Sequence, residues 1–219
     1  MRLTINEALR IIHISAVAYQ NNLVGKNVLF FSTYKNKTSC FEVAFLARNF
    51  LHFTGVATTI TSSTMFFRKA VDNELAPKDI TIAPDGTSEL KLDVLPTLMN
   101  LPSIARMLGD YNNSKSLLVT DKLAGTVTAA MGFVNDRGYY IPNTVLKEDL
   151  RHLTVKPHQR IIAIFIKNQK DKNYSTLSYI AKGFTIDDDI FNELAQVNVD
   201  MNNLKAKFKI PKADKLNDT

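Results

Sequence analysis

The run Phe50-Leu51-His52-Phe53-Thr54-Gly55-Val56 sets one imidazole and one hydroxyl in an otherwise apolar segment. Read as extended chain, alternation sends Leu51, Phe53 and Val56 roughly one way and leaves His52 and Thr54 together on the other face. An imidazole titrates near neutrality, so His52 can take or give a proton at physiological pH. Three further polar clusters fall at expected strand ends: Asp110 with Tyr111; Thr120, Asp121 and Lys122; and Tyr139, Tyr140, Asn143 and Thr144. A metal-free ribonuclease needs little more than such a set, because RNA supplies its own 2′-hydroxyl nucleophile. The protein must move two protons and stabilise the charge on the phosphorane. His52 suits the proton transfers, Lys122 the phosphate charge, and Tyr140 the orientation or stacking of a base. Each residue also has a plainer role: a core histidine bonded to a carbonyl, a solvated lysine, aspartates capping turns, tyrosines closing a core edge.

Other chemistries find no support. No glycine loop followed by Gly-Lys-Ser/Thr occurs, nor a dinucleotide fingerprint, nor His-Glu-x-x-His, nor Gly-x-Ser-x-Gly. The four histidines make no i, i+4 metal pair, and the single cysteine, Cys40, can form neither an internal disulfide nor a thiol cluster. Its setting, Ser39-Cys40-Phe41-Glu42-Val43, alternates like a strand and reads as core filler rather than nucleophile. No metal and no cofactor is implied. The longest apolar runs, such as Ile161 to Ile166, are strand-sized, and an acidic residue stands near the start where a secretory signal would be basic, so a cytoplasmic protein without a membrane span is expected. The net charge of +6 is uneven: residues 1–75 hold eight Lys/Arg against four Asp/Glu, and residues 147–182 hold eight against three. A face built from those two blocks attracts a polyanion, and nucleic acid is the usual one.

The elements that must position these residues follow from pattern. Thr4-Ile5-Asn6-Glu7 matches a capping box, and Ile5, Leu9, Ile12, Ala16, Tyr19 and Leu23 recur at helical spacing. Val28–Ser32 and Ser39–Leu46 read as a hairpin. Ser62 or Ser63 caps a helix over Met65–Asn73, a short strand follows at Ile80–Ile82, and the Leu90–Leu101 stretch is helical with Pro96 and Pro102 kinking or dividing it. Strands are expected at Leu117–Thr120, Thr126–Phe133, Arg160–Lys167 and Leu177–Gly183, with a short helix over Asn143–His152. The fold class is α+β, N-terminal helices and a hairpin packed on a mostly antiparallel sheet of about four strands. Residues 1–185 form a single domain, and 186–219 a polar, lysine-rich tail opened by a helix capped by Asp187–Asp189.

At the clusters named above, together with Leu90-Lys91-Leu92-Asp93-Val94-Leu95-Pro96 and Thr120-Asp121-Lys122-Leu123-Ala124-Gly125, the chain resembles the fourth phage-associated branch of the barnase, EndoU, colicin and RelE-like nuclease superfamily. The resemblance spans roughly residues 5–185 and lies in the order and spacing of the motifs. It implies a small α+β fold and a metal-independent endoribonuclease of phages or mobile elements, toxin-like, with RNA as partner and an antitoxin or immunity protein as a second. From it only His52, Thr54, Lys122 and Tyr140 are carried over as catalytic candidates; Lys91, Tyr111, Thr120, Asn143, Thr144 and Arg160 stand beside them as substrate-binding candidates of the second rank. Two alternatives are a non-catalytic nucleic-acid-binding module and a nucleotide-transfer enzyme such as an ADP-ribosyltransferase.

Overall fold

A computed structural model describes residues 3–35, 37–115, 118–184 and 188–201. Helix α1 (Ile5–Asn22) opens on the expected capping box, with the Thr4 side chain accepting from the Glu7 amide and the Glu7 carboxylate accepting from the Thr4 amide at 2.9 Å. Its inner face carries Ala8, Ile12, Ala16 and the fully buried Tyr19. Tyr19 is the hub of the helical layer. Its ring meets Phe45, Phe50, Phe53 and Phe67 at 5.5–6.2 Å, and its hydroxyl donates to the Leu46 carbonyl at 3.0 Å. Around it lie α2 (Phe50–Thr54), α3 (Ser63–Val71) and α4 (Thr87–Leu98). Pro96 stays inside α4, and α5 (Leu101–Ile104) starts afresh with Pro102 in its first turn, where a missing amide costs nothing. Two further α-helices among the described residues are α6 (Leu150–Leu153) and α7 (Asp188–Gln196).

The sheet departs from expectation. Strands β1 (Lys26–Tyr34), β2 (Lys37–Ala44), β5 (Met107–Asp110), β6 (Lys122–Gly125), β7 (Ala130–Asp136), β8 (Tyr139–Leu146) and β9 (Gln159–Asn168) run in the order β1-β2-β8-β7-β6-β5-β9, and β9 pairs back onto β1. The result is a closed seven-stranded barrel. It is mixed, because β2 and β8 run parallel through the bridge Val43 to Tyr140 while the other pairs are antiparallel. β10 (Thr176–Ile180) pairs with β9 on the edge that β5 also uses, opposite β1, and β3 (Ala57–Thr58) with β4 (Ile80–Thr81) forms a separate two-stranded ladder.

A sheet of about four mostly antiparallel strands is therefore the wrong description, for identifiable reasons. β5 and β6 have four residues each, too few for alternation to register. β8 carries Pro142, which usually argues against a strand, and its acidic neighbours Glu148 and Asp149 suggested a helix over Asn143–His152. Pro142 is tolerated because the register shifts between Gly132 and Phe133, just where Pro142 faces β7. Of the strand expected at Leu117–Thr120, Leu118–Thr120 is irregular and Leu117 lies outside the described residues.

Phe30, Phe41, Phe133, Val145 and Ile164 on one sheet face join the helices in one core. Leu29, Phe31 and Phe165 on the other face pack with Tyr174, Leu194, Val199 and Met201 in a second. The first part of the expected tail thus contributes α7 and buried side chains. The Asp187 end of the expected cap and the lysine run from Lys205 to Lys215 lie outside the described residues.

Candidate functional site

His52 sits on a helix rather than a strand. Phe50 and Phe53, three apart, both turn onto Tyr19, which puts His52 on the opposite side of α2. In a helix, residues two apart do not share a face, so the expected His52–Thr54 pair dissolves. Thr54 is buried, its hydroxyl donating to the Leu51 carbonyl at 2.8 Å and accepting from the Val56 amide at 3.3 Å, and it closes the helix rather than facing substrate. The signal for this turn is Gly55, whose φ of 65° is the left-handed conformation that ends helices.

Gly55 also lets α4 approach. A Cβ there would lie 2.9 Å from Lys91 Cδ and 3.3 Å from Ser88 Cα, while the Ser88 hydroxyl donates to the Gly55 carbonyl at 2.7 Å. Lys91 is thereby laid across the end of α2, its Nζ donating to the His52 carbonyl at 2.8 Å. Its cation satisfies a helix-end carbonyl and sits where the helix dipole favours positive charge. Both side chains line an open cleft of about 520 Å³, together with Gly55, Thr81, Ala83 and Pro84. Partial burial, and then the nearby Lys91 charge, lower the His52 pKa from its ordinary value, so the neutral imidazole prevails at neutral pH. Burial likewise lowers that of Lys91.

Lys122 and Tyr140 lie elsewhere, at the barrel. The Lys122 ammonium pairs with the Asp110 carboxylate across the β5–β6 ladder and stands 5.7 Å from the centre of the Phe41 ring. Tyr140 meets that same ring edge-on at 4.8 Å. The structure therefore gathers the amine and the phenol around Phe41, and gathers the imidazole with Lys91 in a cleft whose lining includes neither. Beside Phe41 on β2, Ser39 joins Ser32 and Gln159: the hydroxyls lie 2.9 Å apart and each is 2.7 Å from Gln159 Oε1.

The other candidates divide in the same manner. Thr120, Asn143 and Thr144 surround Gly132: a Cβ there would meet Thr120 Oγ1 at 2.6 Å and Thr144 Cγ2 at 2.8 Å. Thr120 donates to the Phe133 carbonyl at 3.0 Å and Asn143 to that of Val119, so this trio shapes the irregular strand edge. Tyr111 is buried, and its hydroxyl both donates to and accepts from the Lys115 backbone. Arg160 is exposed at the start of β9. The Cys40 thiol is pushed up to about 12 by burial and then by the Glu193 carboxylate, which keeps it protonated and unreactive. Sequence reasoning passed over Phe41 and Gln159, because only the closed barrel brings them near Lys122 and Ser32, from strands or positions that are not paired in register. Among the described residues no group of three or more His, Cys, Asp or Glu could hold a metal ion, and no helix is long and apolar enough to cross a membrane.

A family model described as phage-Barnase-EndoU-ColicinE5/D-RelE like nuclease4 matches residues 11–183. The chain belongs to this family. Its matched span runs from within α1 through β10 and therefore takes in both the His52 cleft and the whole barrel of this phage-type nuclease. Membership makes the protein a nuclease of the barnase and EndoU type, in agreement with the motif resemblance. No curated protein and no solved structure matches the chain.

Proposed function

We propose that this nuclease is a metal-independent endoribonuclease whose acid–base group is His52 and whose phosphate contact is Lys91. One observation carries the proposal: a partly exposed imidazole, held neutral at neutral pH, shares an open cleft with an ammonium bound to its own backbone carbonyl. Neutral His52 takes the proton from a ribose 2′-hydroxyl, whose oxygen then bonds to the adjacent phosphorus as the P–O5′ bond breaks, leaving a 2′,3′-cyclic phosphate. Lys91 offsets charge on the phosphorane, and its lowered pKa makes it a better proton donor to the departing 5′-oxygen. Lys91 thus takes the part expected of Lys122, which is already paired with Asp110.

The test is cleavage of RNA in the presence of a chelator. His52→Ala is expected to lower the rate by about two to four orders of magnitude, and Lys91→Ala by about two, with melting curves showing both variants folded. A folded His52→Ala variant that cuts like wild type, or wild-type protein that leaves RNA intact, overturns the proposal. A loss on Lys122→Ala as large as on His52→Ala returns the phosphate role to the barrel.

A further inference from the structure

The cleft that holds His52 and Lys91 has a second wall. β3 and β4 build it: Ala57 faces Thr81 across their ladder, and Val56 and Ile82 extend it by one residue each. The opening of about 520 Å³ falls inside the roughly 300–1,000 Å³ of small-ligand sites. Leu51, Val56, Ala57, Ile82, Ala83 and Pro84 give it an aliphatic lining. Beyond His52 and Lys91, the polar side chain in the lining is that of Thr81, which is exposed and whose hydroxyl has no partner among the described residues. The main chain around the cleft is engaged from within. The Ser88 hydroxyl accepts from the Ala83 amide at 2.8 Å and donates to the Gly55 carbonyl at 2.7 Å. Lys91 donates to the His52 carbonyl, and the Val56 amide donates to Thr54.

We infer that the cleft takes one unpaired nucleotide of an RNA strand, its base laid against the aliphatic wall and a phosphate oxygen held by the Thr81 hydroxyl, with the identity of the base left unread. Telling bases apart requires donors and acceptors fixed opposite a base edge. Here the main-chain groups named above are already occupied. The free hydroxyl both gives and takes a hydrogen bond, so it selects no base. Burial of apolar surface is non-directional, and an aliphatic wall therefore covers the flat face of any base. In a duplex both faces of a base are covered by its neighbours, so only a nucleotide outside the stack can lie in the cleft. The inference rests on the proposed site and on RNA as its substrate, and it adds what that site selects.

The test is titration of isotopically labelled full-length protein, read by NMR at the amides of Val56, Ala57, Ile82 and Ala83. The ligands are RNA hexamers with A, C, G or U at one central position and fluorine in place of every 2′-hydroxyl, so that they bind without being cut. The four dissociation constants are expected to agree within about fivefold, and each hexamer to bind about tenfold or more weakly once annealed to its complement. Thr81→Val should weaken all four by about threefold or more, and Thr81→Ser, which keeps the hydroxyl, by less. Thr81 is exposed on its strand, so neither substitution disturbs the core. A wider spread among the bases, a smaller penalty for the duplex, or a smaller loss in Thr81→Val overturns the inference. Strong base preference in a protein whose cleavage is lost in His52→Ala overturns this inference and leaves the catalytic proposal standing. Tolerant binding by a protein that leaves RNA intact does the reverse.

Discussion

At the residue scale the His52 cleft makes a prediction about pH. Burial and then the Lys91 charge hold the imidazole below its ordinary value of 6.5. A group whose pKa is depressed by folding binds fewer protons folded than unfolded. Its contribution to stability is therefore present above about 6.5 and lost as pH falls through the folded value. The acid limb of the cleavage profile is expected below pH 6.5, and Lys91→Met should move it part of the way back, since the burial that dominates the shift remains. NMR titration of the His52 ring in both proteins checks this, and an imidazole titrating above 6.5 in wild type contradicts it. The site was only partly legible in the sequence. His52 and Lys91 were both visible as candidates, but their partnership was not, because it depends on Gly55 ending α2 and clearing the path of α4. Tyr140 and Lys122 were expected to share a site with His52; both stand instead against Phe41, a phenylalanine that no spacing rule would select.

At the scale of elements, the close approach of neighbouring strands is built on glycine. A Cβ on Gly125 would lie 2.3 Å from the Ala129 carbonyl oxygen, whereas the nearest neighbours of one on Gly132 would be the side chains of Thr120, Thr144 and Asn143. Side chains can rotate away and backbone at a tight turn cannot. Gly125→Ala is therefore expected to cost about 3 kcal/mol, at the upper end for overpacking, and Gly132→Ala about 1–2 kcal/mol. Denaturant unfolding measures both, and equal costs would show that the turn from Gly125 to Ala130 yields. The elements readable in advance were those with local signals: the capping box of α1, the Ser62 cap of α3, the hairpin of β1 and β2, and the strands β9 and β10. The run from Phe50 to Thr54 failed as a strand because five residues cannot distinguish period 2 from period 3.6, and the decisive feature was the glycine that follows it. β8 failed because its run, Tyr139 to Leu146, carries a proline and does not alternate.

At the scale of the whole molecule, what closes the barrel and what covers it are separate layers. Leu194, Val199 and Met201 are buried against Leu29, Phe31 and Phe165, and Tyr174 exchanges backbone hydrogen bonds of 2.8 and 2.9 Å with Asn198 and Asp200. A chain ending at residue 184 would expose that face, losing about 1.5–3 kcal/mol for each large apolar side chain uncovered. Its unfolding midpoint in urea is expected to fall well below that of the full chain, and an unchanged midpoint would mark the segment as dispensable. The closure between β1 and β9 was illegible for a different reason. Residues 26–33 pair with residues 160–168, and nothing local in either segment announces a partner so far along the chain. That separation sets an order of events during synthesis. While the polypeptide leaves the ribosome from its amino end, β1 waits with one edge bare until β9 has emerged, by which time the residues of the His52 cleft and of β2 to β8 have already been made. A nuclease assembled this way cannot close its barrel until the whole of the intervening chain has been added to β1.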